Sequence, residues 1–277
     1  MDYLEYYNLK EHPFSNVVDN RFYYKAIQHS EALVRLKYAV DTKKGLAVVI
    51  GDIGTGKTTL ARRLLEELDE NIYEAILLVV IHSAVSADWL LKKLAIQLGV
   101  SDVKDDKVDL LSQIYKRLFE LGEHGRAAVV IIDEVQMLKS KEIMEEFRGL
   151  LNMEMPEGKM VNFIFVGLPE LDSVLALDEP LKQRVAVRVR LKALSEENTK
   201  DYVRHRMQVG GCPRNPFTDG AMKTIFKYSN GVPRLINTIC DNALLDGYLF
   251  KTNIIDEAII NAVAVDLGLD GGETKGS

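Results

Sequence analysis

Short apolar runs alternate with segments of helical periodicity over the first two thirds of the chain. Runs rich in Val, Ile and Leu have the length of buried strands, and between them apolar residues recur every three or four positions. Continuous apolar strands are typical of a parallel sheet that is covered by helices on both faces. The predicted strands are 46–50, 75–81, 127–132, 162–166 and a fifth within 181–191, and the predicted helices between them include 58–68, 89–98, 107–121 and 141–152.

The strand pattern stops near Leu194, and only helical periodicity follows it. This change predicts a small helical domain after the α/β domain, with helices at 195–209, 219–229, 233–250 and 256–267. The start of the chain, rich in tyrosine and containing Pro13, predicts an ordered extended arm. The predicted organisation is an N-terminal arm at 1–25, an α/β nucleotide-binding domain at 26–193, a helical lid at 194–269 and a flexible tail at 270–277.

A phosphate-binding pattern lies between the first predicted strand and the helix that follows it. It reads Gly51-Asp52-Ile53-Gly54-Thr55-Gly56-Lys57-Thr58 and matches G-x-x-x-x-G-K-[ST]. The glycines let backbone N–H groups face phosphate oxygens, and the helix adds its unpaired N-terminal amides. Lys57 places a charge near the β- and γ-phosphates, and the Thr58 hydroxyl can ligate Mg²⁺. We therefore expect ATP and Mg²⁺ as cofactors, with Thr59 also contributing to the binding segment.

Two carboxylates follow the third predicted strand directly. Asp133 and Glu134 lie at its carboxyl end, where ligands bind in open parallel sheets. Asp133 is expected to hold Mg²⁺, and Glu134 is expected to be the general base that polarises the attacking water. An acid pair after a strand is also a common solvated loop start, but the phosphate loop favours the catalytic interpretation. Gln136 either contacts the same water or γ-phosphate, or is an ordinary polar residue at a helix start.

Composition narrows the class of protein further. The net charge of −6 over 277 residues excludes a protein that coats nucleic acid through overall positive charge. It does not exclude binding of nucleic acid through a local basic patch. Cys212 and Cys240 lack the spacing of a disulfide framework or a zinc site. The acidic, aromatic N-terminus is unlike a signal peptide, and no apolar run reaches the length of a membrane span. These features predict a cytoplasmic protein without direct transmembrane insertion.

Six sequence blocks, in order and spacing, resemble the AAA+ ATPases of the general secretion pathway protein A group, the ExeA type. The blocks are the opening Tyr-Tyr-Asn-Leu-Lys-Glu-His-Pro-Phe-Ser at 6–15, the phosphate loop continued to Thr59, Ile-Ile-Asp-Glu-Val-Gln at 131–136, Gly-Leu-Pro-Glu-Leu at 167–171, Leu-Lys-Gln-Arg-Val at 181–185 and Gly-Val-Pro-Arg-Leu-Ile-Asn at 231–237. The related TniB, TnsC and MuB types of transposition ATPase share this plan. The resemblance implies a P-loop AAA+ domain with a five-stranded parallel sheet, a helical lid and ATPase activity.

The resemblance also implies roles for three residues outside the phosphate loop. Arg184 matches the arginine finger that reaches the nucleotide of a neighbouring subunit, which implies a homo-oligomeric ring or filament. Arg234 matches the sensor arginine of the lid, and Phe14 is placed to flank the adenine. The alternatives are a surface salt bridge for Arg184, a surface arginine at a helix start for Arg234, and packing of the arm on the core for Phe14.

One position departs from the family pattern. The first sensor, at the end of the fourth strand, is usually polar, but this chain has Leu168 there. A leucine side chain cannot form a hydrogen bond to water or to the γ-phosphate. Either another polar group takes its place or hydrolysis is slow.

Three functions remain open on the sequence alone. The first is an ATPase that assembles or remodels a protein partner in secretion, pilus or related envelope machinery. The second is an ATP-dependent DNA-binding regulator of transposition with slow hydrolysis, and the third is a scaffold that binds nucleotide without hydrolysing it. For the second, a basic cluster could contact DNA phosphates, or it could consist of the finger and ordinary solvated charges. That cluster is Arg184, Arg188, Arg190 and Lys192.

Overall fold

A computed structural model describes residues 2–17, 19–156 and 158–269, and the predicted tail at 270–277 lies outside these described residues. The helices are α1 (Tyr3–Tyr6), α2 (Ile27–Asp41), α3 (Lys57–Glu67), α4 (Ala87–Gln97), α5 (Lys107–Glu123), α6 (Lys141–Leu150), α7 (Leu171–Leu175), α8 (Glu179–Lys182), α9 (Glu196–Val209), α10 (Asp219–Ser229), α11 (Pro233–Leu249) and α12 (Glu257–Asp266). The strands are β1 (Leu46–Gly51), β2 (Tyr73–Val79), β3 (Ala127–Asp133), β4 (Glu154–Met155), β5 (Gly158–Lys159), β6 (Val161–Gly167) and β7 (Val185–Leu191).

Five of the strands form one parallel sheet in the order β2-β3-β6-β1-β7, which confirms the predicted sheet. Every residue of β1, β3 and β6 is buried, as expected for parallel strands that helices cover on both faces. Because β6 lies between β1 and β3, the segments that follow these three strands emerge side by side. They are the phosphate loop, the acid pair and Leu168.

Aromatic packing fixes α6 on the central strand of the sheet. The ring of Phe147 meets Phe163 and Phe165 of β6 edge to face, with ring centroids 5.1 and 4.8 Å apart. Edge-to-face pairs of this kind are favourable beyond the apolar area that they bury. The packing holds the strand whose carboxyl end adjoins the acid pair.

Several boundaries differ from the predicted ones. The second strand begins and ends two residues earlier than predicted, and Ile81, assigned to it, is 82% exposed. Two short helices, α7 and α8, and the small antiparallel pair of β4 and β5 were not predicted. Elements of two to five residues are too short to display a periodicity, so their absence from the prediction has a simple physical cause.

The chain divides into two compact units. We call Met1–Ala26, Gly54–Gly56 and Lys192–Ser277 the helical unit, and Ile27–Ile53 with Lys57–Leu191 the sheet unit. In the helical unit, α9, α10 and α12 each begin after a side chain that caps the first turn, since Ser195, Thr218 and Asp256 accept hydrogen bonds from backbone N–H groups there. Within the described residues, no helix is both long and apolar enough to cross a lipid bilayer.

The N-terminal segment is part of the helical unit. Tyr7 and Phe14 are buried with apolar residues of its helices, and Arg206 donates hydrogen bonds to the carbonyls of Pro13 and Ser15, the second at 2.8 Å. The prediction of an extended arm was wrong at two places, because Tyr3–Tyr6 is helical and Asn20–Phe22 forms a 3-10 turn. The aspartate before each of these segments caps it through its side chain.

Candidate functional site

The phosphate loop occupies the connection between β1, which ends at Gly51, and α3, which begins at Lys57. Gly54 and Gly56 have φ values of +78° and +96°, which residues with side chains rarely adopt. The Lys57 side chain is buried and folds back over the loop, where its Nζ donates a hydrogen bond to the Asp52 carbonyl oxygen at 2.9 Å. The loop therefore has the backbone conformation and the cation of an anion-binding cradle.

The charge environment of Lys57 explains how a buried ammonium is kept at this place. Burial lowers the pKa of Lys57 below its ordinary value of 10.5, and the carboxylates of Glu134 and Asp133 act in the opposite direction. Because a buried cation is stabilised by any anion that reaches it, the phosphates of a nucleotide would add to what the two carboxylates supply.

Thr58 and Asp133 meet at the carboxyl ends of the strands. The Thr58 hydroxyl donates a hydrogen bond to Asp133 Oδ2 at 2.6 Å, and Asp133 Oδ1 accepts the Glu134 backbone N–H at 2.9 Å. Mg²⁺ binds oxygen ligands and is commonly held by one or two protein groups together with water and substrate phosphates. The hydroxyl and carboxylate fit this requirement, and these two residues would hold the ion.

Burial is the largest influence on the pKa of Asp133. The residue is 1% exposed, and this burial raises the pKa of Asp133 above its ordinary value of 3.8, while the hydrogen bonds from Thr58 and from the Glu134 N–H oppose the shift. A carboxyl group whose pKa is higher in the folded state stabilises the fold at low pH, and this contribution is lost as pH rises through the folded-state pKa. Ionised Asp133 therefore costs folding stability at neutral pH when no cation is bound.

Asp133→Asn is expected to raise the melting temperature of the nucleotide-free protein at pH 7.5. The asparagine oxygen still accepts hydrogen bonds but carries no charge, and each kcal/mol recovered is worth about 2–4 °C in a chain of this size. The advantage should shrink as pH falls toward the ordinary value of 3.8. The same variant should lose the stabilisation that Mg-ATP gives the parent. Calorimetric melting curves over a pH series, with exposed Asp69→Asn as the control, test this, and a lower melting temperature without nucleotide would contradict it.

Glu134 and Gln136 lie just after the carboxyl end of β3 and are further polar residues of the site. Glu134 is partly exposed and has a left-handed backbone, with φ +61° and ψ +36°, which is uncommon for a residue other than glycine. Gln136 is buried, its Nε2 donates a hydrogen bond to the Glu134 carboxylate, and its Oε1 accepts the Leu168 backbone N–H at 3.0 Å. The first-sensor position thus takes part in the polar network through its backbone, although its side chain is apolar.

Each of the three residues implied by the resemblance has contacts within its own unit. The Arg184 guanidinium, between α8 and β7, donates from Nη1 to the Arg148 carbonyl oxygen at 3.1 Å. Arg234 is the second residue of α11 and is exposed, and its backbone N–H donates to the Gly54 carbonyl oxygen at 3.3 Å, inside the helical unit. Phe14 is 2% exposed and packs edge to face against Phe217, as its packing alternative requires. The roles toward nucleotide stay predictions for all three.

Two members of the basic cluster are engaged within the sheet unit. Arg188 and Arg190 both form ion pairs with Asp172, the second at 3.1 Å between Nη2 and Oδ2. Asp172 lies in α7, and the sequence pattern carried no sign of this pairing. Because the carboxylate already offsets part of the charge, the cluster is a weaker attractor for DNA phosphates than its sequence suggests.

A phosphate loop lies between a parallel strand and a helix, and a Thr–Asp pair and a glutamate lie at the end of β3, which one further strand separates from β1; this arrangement defines a P-loop nucleotide-binding protein of the AAA+ class. Residues 40–175 match the family model described as "AAA domain". The chain is a relative of general secretion pathway protein A of Aeromonas hydrophila, with 32% identity over 268 residues. This match covers 96% of the chain and 48% of the relative, so the chain spans about half of that protein's length.

Solved structures share the fold at low sequence identity. The ORC2 protein of Aeropyrum pernix has a TM-score of 0.71 at 15% identity, over 93% of this chain and 72% of that one. Cdc6p of Pyrobaculum aerophilum has a TM-score of 0.68 at 16% identity, over 92% of this chain and 70% of that one. At such identities the likeness establishes the AAA+ fold and no more.

Proposed function

We propose that this chain binds and hydrolyses Mg-ATP at contacts between its own subunits, and uses the cycle to assemble or remodel a protein partner in secretion-like envelope machinery. The observation that carries the proposal is the hydrogen bond between Thr58 and Asp133, with Lys57 at the start of α3 and Glu134 directly after β3. These are the groups that phosphoryl transfer needs for phosphate, metal and water. The similarity to general secretion pathway protein A supports the class of partner.

The residues of the phosphate loop and of the end of β3 divide the chemistry between them. The loop amides and Lys57 hold the phosphates, and the Glu134 carboxylate orients a water molecule for in-line attack and accepts its proton. The water oxygen bonds to the γ-phosphorus as the bond from that phosphorus to the β,γ-bridging oxygen breaks, which leaves ADP and inorganic phosphate. Mg²⁺, held by Thr58 and Asp133, would neutralise charge on the β- and γ-phosphate oxygens.

Arg184 is the residue that makes hydrolysis depend on a second subunit. Its guanidinium has five N–H donors, and its hydrogen bond to the Arg148 carbonyl oxygen is made from Nη1. A guanidinium supplied from a neighbouring subunit stabilises the charge of the transition state.

We expect Arg184→Ala to reduce hydrolysis strongly without weakening ATP binding. The specific activity of the parent should rise with protein concentration. The variant should lose that rise and most of its hydrolysis rate, because arginine fingers contribute a factor of about 10³–10⁵ to kcat. Phosphate release over a dilution series measures both effects, with exposed Arg35→Ala as the control. Equal specific activity at every dilution, together with an unchanged rate in Arg184→Ala, would refute catalysis between subunits.

The DNA-binding alternative has less support. The net charge is −6, and Arg188 and Arg190 are paired with Asp172. Both features weaken the electrostatic attraction that most DNA-binding proteins use.

A further inference from the structure

A single side chain links the carboxyl ends of two neighbouring strands of the sheet. β3 and β6 are paired in parallel, with Ile132 opposite Phe165, and Glu134 and Leu168 follow their ends. Gln136 lies between them, bonded to the carboxylate of the one and to the backbone N–H of the other. All three residues belong to the sheet unit.

The chemistry of these partners fixes the orientation of the amide group. A backbone N–H only donates, so it must face Oε1, and an ionised carboxylate only accepts, so it must face Nε2. Both halves of the Gln136 amide are used. If the amide were flipped, its NH₂ group would face the Leu168 N–H and its oxygen would face the Glu134 carboxylate, and neither pair could form a hydrogen bond. As long as Gln136 accepts the Leu168 N–H, its amide has a single orientation, and its NH₂ group faces the Glu134 carboxylate.

The backbone around Gln136 provides the room that this contact needs. A Cβ atom at Gly167 would lie 2.6 Å from Gln136 Oε1, so a side chain there would push the amide out of place. Glu134, on the other side, has the left-handed backbone conformation described above. Uncommon backbone conformations of this kind persist where the surrounding structure imposes them, often at functional sites.

The residue whose carboxylate Gln136 holds is joined to the proposed metal-binding pair. The Glu134 backbone N–H donates a hydrogen bond to Asp133 Oδ1, and Asp133 Oδ2 accepts the hydrogen bond from the Thr58 hydroxyl at the start of α3. Glu134 is therefore connected through Asp133 to the helix that directly follows the phosphate loop.

We propose that Gln136 is a positioning residue for hydrolysis, which holds the Glu134 carboxylate in one orientation at the end of β3 and ties it to the end of β6. The Leu168 side chain cannot form a hydrogen bond, but the Leu168 backbone N–H donates to Gln136. Gln136 therefore provides the polar link between the end of β6 and Glu134. This inference rests on the proposed role of Glu134 as the base. It explains how an apolar residue at the first-sensor position is compatible with turnover.

Two substitutions separate positioning of Glu134 from a merely structural role. Gln136→Leu removes both hydrogen bonds, whereas Gln136→Glu keeps an acceptor for the Leu168 N–H but can no longer donate to Glu134 at pH 8. We expect both to lower kcat by about 10- to 100-fold, a part of the roughly 10²–10⁴ that a positioned base contributes, with the ATP Kd within about twofold of the parent. Gln113→Leu is the matched control, because the Gln113 amide also bridges a backbone N–H and a carbonyl, at Lys104 and Asp102.

A double-mutant cycle with Glu134→Gln adds a readout that a folding defect would not reproduce. If Gln136 acts through Glu134, then Gln136→Leu should cause little further loss of the residual rate in the Glu134→Gln background. Parent-like kcat in Gln136→Leu, full activity in Gln136→Glu, or additive losses in the cycle would each overturn the inference. A parent protein without any hydrolysis would instead refute the proposed function itself, so the two failures are distinguishable.

Discussion

Replacing Glu134 with glutamine is expected to lower kcat for ATP hydrolysis by about 10²–10⁴-fold, the contribution of a positioned general base. The carboxamide has nearly the same shape but cannot accept the proton of the attacking water. ATP binding should stay close to that of the parent, because Lys57, Thr58 and Asp133, which hold the phosphates and the metal ion, are unchanged. Phosphate release under saturating Mg-ATP, together with a separate titration of ATP binding, measures the two quantities.

The control for this experiment is Glu31→Gln, the same chemical change on the exposed face of α2. It should leave kcat at the parental value. A Glu134→Gln protein that hydrolyses ATP at the parental rate would remove Glu134 from the mechanism. An equal loss of kcat in the control would instead show that the effect comes from the overall charge of the protein.

Lys57→Ala is expected to weaken ATP binding by about 100-fold or more. A hydrogen bond with a charged partner contributes about 1.5–3 kcal/mol, which corresponds to roughly 10- to 150-fold in Kd. The loss goes further here, because Asp133 and Glu134 would face the phosphates without the ammonium that offsets their charge. Equilibrium dialysis with labelled ATP, over a concentration range that reaches millimolar, measures the change.

Lys116→Ala, an exposed lysine of α5, is the matched control and should bind ATP as the parent does. Circular dichroism of Lys57→Ala should match the parent, since the loss of a buried ammonium removes a desolvation cost together with its hydrogen bond. Parental affinity in a folded Lys57→Ala protein would show that ATP binds elsewhere or by other groups.

The parallel sheet and the phosphate loop could be predicted because both leave local signals. Fully buried strands require continuous apolar runs, as in Ala127–Asp133, and the loop conformation requires glycine at residues such as Gly54 and Gly56. Thr58 and Asp133 could be assigned to one site because parallel strands place their carboxyl ends at the same edge of the sheet. The observed contact at 2.6 Å agrees with that argument.

The contacts that could not be predicted depend on backbone atoms or on distant partners. The acceptor role of Gln136 involves the N–H of Leu168, and every residue except proline has such a group, so the sequence carries no sign of it. The ion pairs of Asp172 with Arg188 and Arg190 join α7 to β7, and nothing in either segment specifies the other. The arm looked extended because its helical turn at Tyr3–Tyr6 is too short to show a period.

Titration calorimetry of the parent protein with Mg-ATP is the most direct test of the phosphate-loop assignment. We predict saturable binding of one nucleotide per chain, with affinity that falls when magnesium is chelated, because Thr58 and Asp133 then hold no ion between protein and phosphates. The absence of saturable heat at two temperatures and at millimolar nucleotide would contradict the assignment of residues 51–58 as an ATP-binding loop.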